Sequence, residues 1–178
     1  MARHIVLLRG VNLGPRNRVA MPELREALTE AGFDDVQTYV QSGNVVLSSG
    51  ASATTVARKV ARVIEDRFGL DIDVVVRTKA ELAKVVERDP LGKVAEDPKR
   101  YQVTFLATKP KAEVVEKLAS AAVEPERLVH NGRELYAWHP NGVGRSKLAA
   151  LLSGPQLGVT GTARNWATVT KLLELANE

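Results

Sequence analysis

The order of apolar patterns over the first 76 residues constrains this chain more than anything else in it. "HIVLLR" (His4 to Arg9) is a continuous apolar run of strand length. The segment "PELREALTEAG" carries its apolar side chains at helical spacing, with Met21, Leu24, Leu28 and Ala31 on one stripe. Pro22 suits the first helical turn, Glu23 complements the helix dipole and Gly32 stops the helix. "DVQTYVQ" and "NVVLS" then read as a hairpin turning at Ser42-Gly43-Asn44, where positive φ is tolerated. A second helix from about Thr54 to Phe68 turns Val56, Val60, Val63 and Ile64 inward, and "DIDVVV" is the next strand. Residues 1–76 thus read βαββαβ.

The same order of elements then recurs without residue identity. Thr78 and Glu81 form a capping-box signature for a connecting helix closed by Pro90. "YQVTFLA" is a strand, "KAEVVEKLASAA" a helix, and "ERLVH-NG-RELYAWH" a hairpin. "SKLAALLS" is a short helix begun by Ser146, and "PQLGVT" a weak final strand. The last helix, "ARNWATVTKLLELA", is capped by Thr162 and buries Trp166, Val169, Leu173 and Ala176. The predicted fold is α+β: two fused ferredoxin-like (βαββαβ) units with antiparallel sheets, a connecting helix and a C-terminal helix. The first unit spans residues 1–77, the connecting helix and loop 78–98, and the second unit with the C-terminal helix 99–178. Right-handed crossovers give each sheet the order 4-1-3-2 with both helices on one face.

Composition removes several chemistries. The absence of cysteine excludes disulfides, thiol catalysis and cysteine-bound metal, and the three histidines stand at unrelated spacings. No metal site and no cofactor are expected. The longest apolar runs are far short of a membrane span, and "MARHIVLLRG" lacks a small-residue cleavage site. A cytoplasmic protein without membrane contact is expected. The net charge of +4 suits an anionic partner, but 25 basic residues are interleaved with 21 acidic ones, so a solvated surface outweighs a nucleic-acid surface. The two central strands of the first unit carry no aromatic on which RNA bases could stack. Asp71, Asp73, Glu87 and Asp89 read as solvated ends of strands and helices, and Tyr136 and Trp138 as packing residues on one strand face.

No nucleophile or metal motif appears, so no reaction and no catalytic residue are assigned. Ser42 and Ser146 have no identifiable base. His139, just before Pro140, is the histidine best placed for chemistry, with a structural hydrogen bond as the competing role.

Two loop clusters are candidate ligand sites. In the predicted topology "RGVNLGPRNR" lies beside the hairpin turn, bringing Arg9, Asn12, Arg16 and Arg18 next to Gln41, Ser42 and Asn44. Arginines bind carboxylates and phosphates through paired hydrogen bonds, and the following helix offers free N–H groups. The competing reading is a turn built by Asn12, Gly14 and Pro15, with the arginines paired to surface carboxylates such as Glu23. The second cluster joins "NGVGRSK" and "TGTARNW", hence Arg145, Lys147, Arg164 and Asn165, as a second or completing set. Lys147 and Arg164 are read at helix starts, where a cation opposes the dipole unless an anion binds. "GVGRSK" lacks phosphate-loop spacing. The partner expected from both clusters is an anionic, phosphate-bearing small molecule. A nucleic-acid-binding or protein-interaction module without catalysis is the alternative.

"LLRGVNLG", "VAMPELREALTEAGF", "TYVQSGNVVLSS", "GVGRSKL" and "TARNWATVTKLLEL", in that order, resemble the bacterial family catalogued as domain of unknown function 1697. The resemblance implies a small, soluble bacterial protein and brings no catalytic residues with it. Its distinctive segments coincide with the two loop clusters.

Overall fold

The computed structural model describes all 178 residues and forms a mixed α+β protein with two four-stranded antiparallel sheets and six α-helices. Two compact units result, Met1–Lys84 with Lys171–Glu178 and Val85–Thr170. The division differs from the expected one in both places, because the last eight residues return to the first unit and the connecting helix is shared between the two.

In the first unit the elements are β1 (Ala2–Leu8), α1 (Met21–Glu30), β2 (Asp34–Tyr39), β3 (Asn44–Ser49), α2 (Ala53–Phe68) and β4 (Val74–Thr78), with sheet order β2-β3-β1-β4. Val6, Leu8, Val45, Leu47 and Val76 meet Leu24 and Leu28 of α1 and Val56, Val60 and Ile64 of α2 in one core. Both helices therefore lie on one sheet face. Ile5, Leu7 and Val46 point to the other face by the strand period and are equally buried. This explains why β1 and β3 read as continuous apolar runs, since alternation marks a strand with one wet face. Ser52 caps α2 by accepting from the Thr55 N–H, and Gly69 ends it in the left-handed conformation.

Helix α3 (Lys79–Arg88) begins in the expected capping box: the Glu81 carboxylate accepts from the Thr78 N–H at 2.9 Å, and Thr78 Oγ1 from the Glu81 N–H at 3.2 Å.

The second unit contains β5 (Tyr101–Leu106), α4 (Ala112–Ala121), β6 (Arg127–Asn131), β7 (Glu134–Trp138), α5 (Lys147–Leu152), β8 (Gly161–Asn165) and the start of α6 (Trp166–Asn177), with sheet order β6-β7-β5-β8. Leu106, Leu135 and Ala137 pack with Leu118, Leu148, Leu152 and Leu157. On the opposite face Tyr136 donates to the Val85 carbonyl, Tyr101 donates to Asp89, and Tyr101 stacks on Trp166 at 4.6 Å. The aromatics of these strands are thus committed to packing.

Three local expectations are corrected. The final strand is Gly161–Asn165, and "PQLGVT" instead contains a 3-10 turn over Pro155–Leu157. Thr162 consequently lies within β8. The N-cap of α6 is Asn165, whose side chain accepts from the Thr168 N–H at 2.9 Å, and the helix buries Val169, Leu172 and Ala176 while Leu173 is half-buried. In the second hairpin Asn131 pairs with Glu134, so Gly132 and Arg133 form the turn and Gly132 alone takes positive φ.

In the first hairpin the connection runs from Val40 to Gly43, and Asn44 is the first residue of β3. Val40 adopts φ +50°, a left-handed conformation that crowds a β-branched side chain, and it is 52% exposed. Val40→Asn is expected to raise the unfolding free energy by about 1 kcal/mol, read from urea denaturation. An unchanged or lowered midpoint would show that no strain resides there.

Candidate functional site

The first loop cluster assembles where topology places it. The C-terminal end of β1 and the β2–β3 turn share one end of the sheet, and the Leu8 N–H donates to the Gly43 carbonyl at 2.9 Å. Asn12 joins the two loops. Its Nδ2 donates to the Gln41 carbonyl at 2.7 Å and to the Val19 carbonyl at 2.8 Å, while its Oδ1 accepts from the Val19 N–H at 2.8 Å. Asn12 and Asn17 both take positive φ, which asparagine tolerates better than most residues.

Asn44 is fully buried, and its Nδ2 donates to the Tyr39 carbonyl and to Ser42 Oγ, both at 3.1 Å. These bonds make Asn12, Ser42 and Asn44 the scaffold of the cluster. All three are expected ligand contacts, and the Asn12 and Asn44 amides and the Ser42 hydroxyl are engaged in holding the loop and turn. Arg9 lies 3.7 Å from the Asp73 carboxylate and is 39% exposed at its side chain. Glu23, suggested as a partner for the loop arginines, instead joins Glu26 and Glu30 around Arg67. Arg16, Arg18 and Gln41 are exposed, and their side chains have no hydrogen-bonded or ionic partner.

The second cluster comes apart. The ends of β7 and β8 do lie together at the Tyr101–Gln102 end of β5. Arg164, however, is a strand residue only 8% exposed, donating to Thr162 Oγ1 at 2.7 Å and to the Ala163 carbonyl at 2.9 Å. Burial pulls its guanidinium down to about 10, so it stays charged at neutral pH. The predicted conflict between Arg164 and a helix dipole does not exist, because the helix starts two residues later and Asn165 caps it. Arg145, at the end of a 3-10 turn, and Lys147, the first residue of α5, are exposed without partners.

His139 is completely buried, and its Nδ1 lies 2.8 Å from Glu126 Oε2. Ser146 donates to the same oxygen at 2.5 Å and also caps α5 by accepting from the Ala149 N–H. The other oxygen of Glu126 accepts from the Val123 N–H at 3.1 Å. Burial alone would raise this carboxyl, but the bonds from His139, Ser146 and Val123 outweigh it and hold the pKa below its ordinary value. The carboxylate stands between the serine and the histidine, so the histidine cannot take the serine proton as it would in a nucleophilic triad. The trio ties β6, β7 and α5 together. Nothing in "VEPERLV" distinguishes Glu126 from a solvated loop carboxylate, which is why sequence reasoning missed it.

His4 is also buried, with neither ring nitrogen hydrogen-bonded. Burial lowers its pKa, the nearby backbone of Ser49 and Ala51 and the charge of Glu81 opposing only in part. It is a neutral core residue of β1. The structure contains no cluster of three or more metal-ligating side chains, and no helix is long and apolar enough to cross a membrane.

A family model described as "Protein of unknown function (DUF1697)" matches residues 1–136, and the chain belongs to that family. Among solved structures it is similar to the conserved bacterial protein SP0830 from Streptococcus pneumoniae, with 22% identity, 98% of each chain covered and a TM-score of 0.79. At that identity the likeness shows a shared fold alone. No curated protein matches the chain.

Proposed function

We propose, taking that family membership as the premise, that the chain binds an anionic, phosphate-bearing small molecule on the loop after β1. Arg16 and Arg18 make the primary contacts, Arg9 and the Gln41 side chain complete them, and Asn12, Ser42 and Asn44 fix the loop. The observation that carries the reading is the pair of unpartnered guanidinium groups on a loop held in shape by its own hydrogen bonds. A fixed loop loses little entropy on binding, and neither the loop from Arg9 to Ala20 nor the turn from Val40 to Gly43 contains an acidic residue, while the Asp73 carboxylate pairs with Arg9. Arg145 and Lys147, on either side of the hydrogen-bonded Ser146, are a separate candidate. We also read each unit as ferredoxin-like, with the element order and the sheet order as support.

The test is a melting-temperature screen of phosphorylated metabolites and nucleotides. At least one is expected to raise the midpoint by several degrees, and the Arg16→Ala/Arg18→Ala double variant should lose that shift while melting as the parent does when unliganded. A library without any stabilising member, or a double variant stabilised as much as the parent, would reject the reading. Affinity for an oligonucleotide that falls steeply with salt would instead favour the nucleic-acid alternative.

A further inference from the structure

Five large apolar side chains are exposed in the molecule, and two of them, Leu13 at 81% and Val40 at 52%, stand on the two loops that meet beyond the end of β1. The bond from Asn12 to the Gln41 carbonyl joins those loops, so Leu13 and Val40 each adjoin one partner of the same hydrogen bond. The Asn12 N–H also donates to the Asn17 carbonyl at 3.0 Å, and its side chain brackets the Val19 backbone, which closes residues 13–18 into a compact loop between buried Val11 and Val19. Leu13 is thus held in water by a hydrogen-bonded backbone. A single exposed apolar residue needs no explanation, whereas a neighbouring pair rimmed by polar groups marks an interaction surface. Here the rim is cationic. Arg16 and Arg18 are exposed without partners, neither loop contains an acidic residue, and the Asp73 carboxylate at this end of the sheet pairs with Arg9.

An exposed apolar pair beside unpaired guanidinium groups is complementary to a surface that carries phosphates above acyl chains. We propose, resting on the phosphate reading of this loop, that its ligand is the headgroup of an anionic phospholipid in a bilayer, with Arg16 and Arg18 meeting lipid phosphates while Leu13 and Val40 enter the interface beneath them. A soluble phosphate would use the arginines and leave the apolar pair in water, whereas a bilayer accommodates both. Contact with one leaflet needs no spanning helix, and no helix here is long and apolar enough to be one. The proposal departs from the expected absence of membrane contact, which rested on the lack of a spanning segment.

Co-sedimentation with phosphatidylglycerol vesicles at low salt tests it, with phosphatidylcholine vesicles as the comparison without net charge. Partition into phosphatidylglycerol is expected to be at least about tenfold stronger and to fall as salt is added. Glycerophosphoglycerol, the same headgroup without acyl chains, should not displace the protein at a concentration equal to that of the lipid. Arg16→Ala/Arg18→Ala should weaken the partition about tenfold or more. Leu13→Ser, a change at an exposed loop position, should weaken it about fivefold while the circular-dichroism melting curve stays that of the parent. Absence of vesicle binding, equal partition into the two lipids, displacement by the free headgroup, or full binding by either variant would each overturn the proposal. If vesicles fail while a soluble phosphorylated compound still raises the melting midpoint through Arg16 and Arg18, the bilayer is rejected and the phosphate reading stands; if both fail, both fall.

Discussion

Gly43→Ala is expected to destabilise the first unit by about 3 kcal/mol. The turn packs directly on β1, and a methyl group at residue 43 would sit 2.7 Å from Leu8 Cβ, 2.7 Å from Val11 Cγ2 and 3.3 Å from the Leu8 carbonyl. Leu8 and Val11 are core residues that cannot step aside into solvent. The backbone adds to the clash, since φ at Gly43 is +86°, a region that L-residues occupy only at a cost. The hydrogen bond from Leu8 to the Gly43 carbonyl holds the two segments together, so relief by separation would sacrifice it. Gly50→Ala is the control, an exposed position with nothing within 4 Å of the added methyl and no positive φ. Urea denaturation of both variants measures the difference. Equal midpoints for the two would show that the turn yields freely.

Glu126→Ala is expected to cost about 3 kcal/mol in the second unit, because it removes three hydrogen bonds at once and strands buried partners. His139 Nε2 is already without a partner, so the substitution would leave the whole ring unsatisfied in a dry interior. Part of the carboxylate's contribution depends on pH. Its folded pKa lies below the ordinary 4.5, so the unfolded chain takes up the proton first as the pH falls. Its stabilisation is therefore complete above pH 4.5 and is lost progressively as the pH drops through the lower folded value. The gap in unfolding free energy between parent and Glu126→Gln should accordingly be widest near pH 7 and narrow below pH 4.5. A gap independent of pH from 7 to 3 would mean that the carboxylate charge contributes nothing to the trio.

Sequence was a good guide wherever one local signal governed one local structure. The period of the apolar residues located all four strands of the first unit within a few residues, and the Thr78–Glu81 box and the Ser146 cap appear as hydrogen bonds at the expected helix starts. Errors arose where two local signals overlapped. In "TGTARNW" the expected cap, Thr162, lies within β8 and Asn165 caps α6, which places Arg164 on the strand and leaves "PQLGVT" outside the sheet. Pairing with β5 decides the matter, because Gly161 to Asn165 complete the sheet beside residues 102–106.

What the chain order determined is the layout: short right-handed crossovers between strands leave few arrangements, and so the loop after β1 had to meet the β2–β3 turn. What only the tertiary structure decided is how each polar side chain is used. Asn12, Asn44 and Arg16 look equally able to touch a ligand in the sequence, yet the first two are consumed by backbone groups left over at the loop and turn, and the third is left exposed and unpaired. The physical reason is that buried backbone N–H and carbonyl groups claim partners before any ligand can, and which ones remain unsatisfied is known only once the chain has packed.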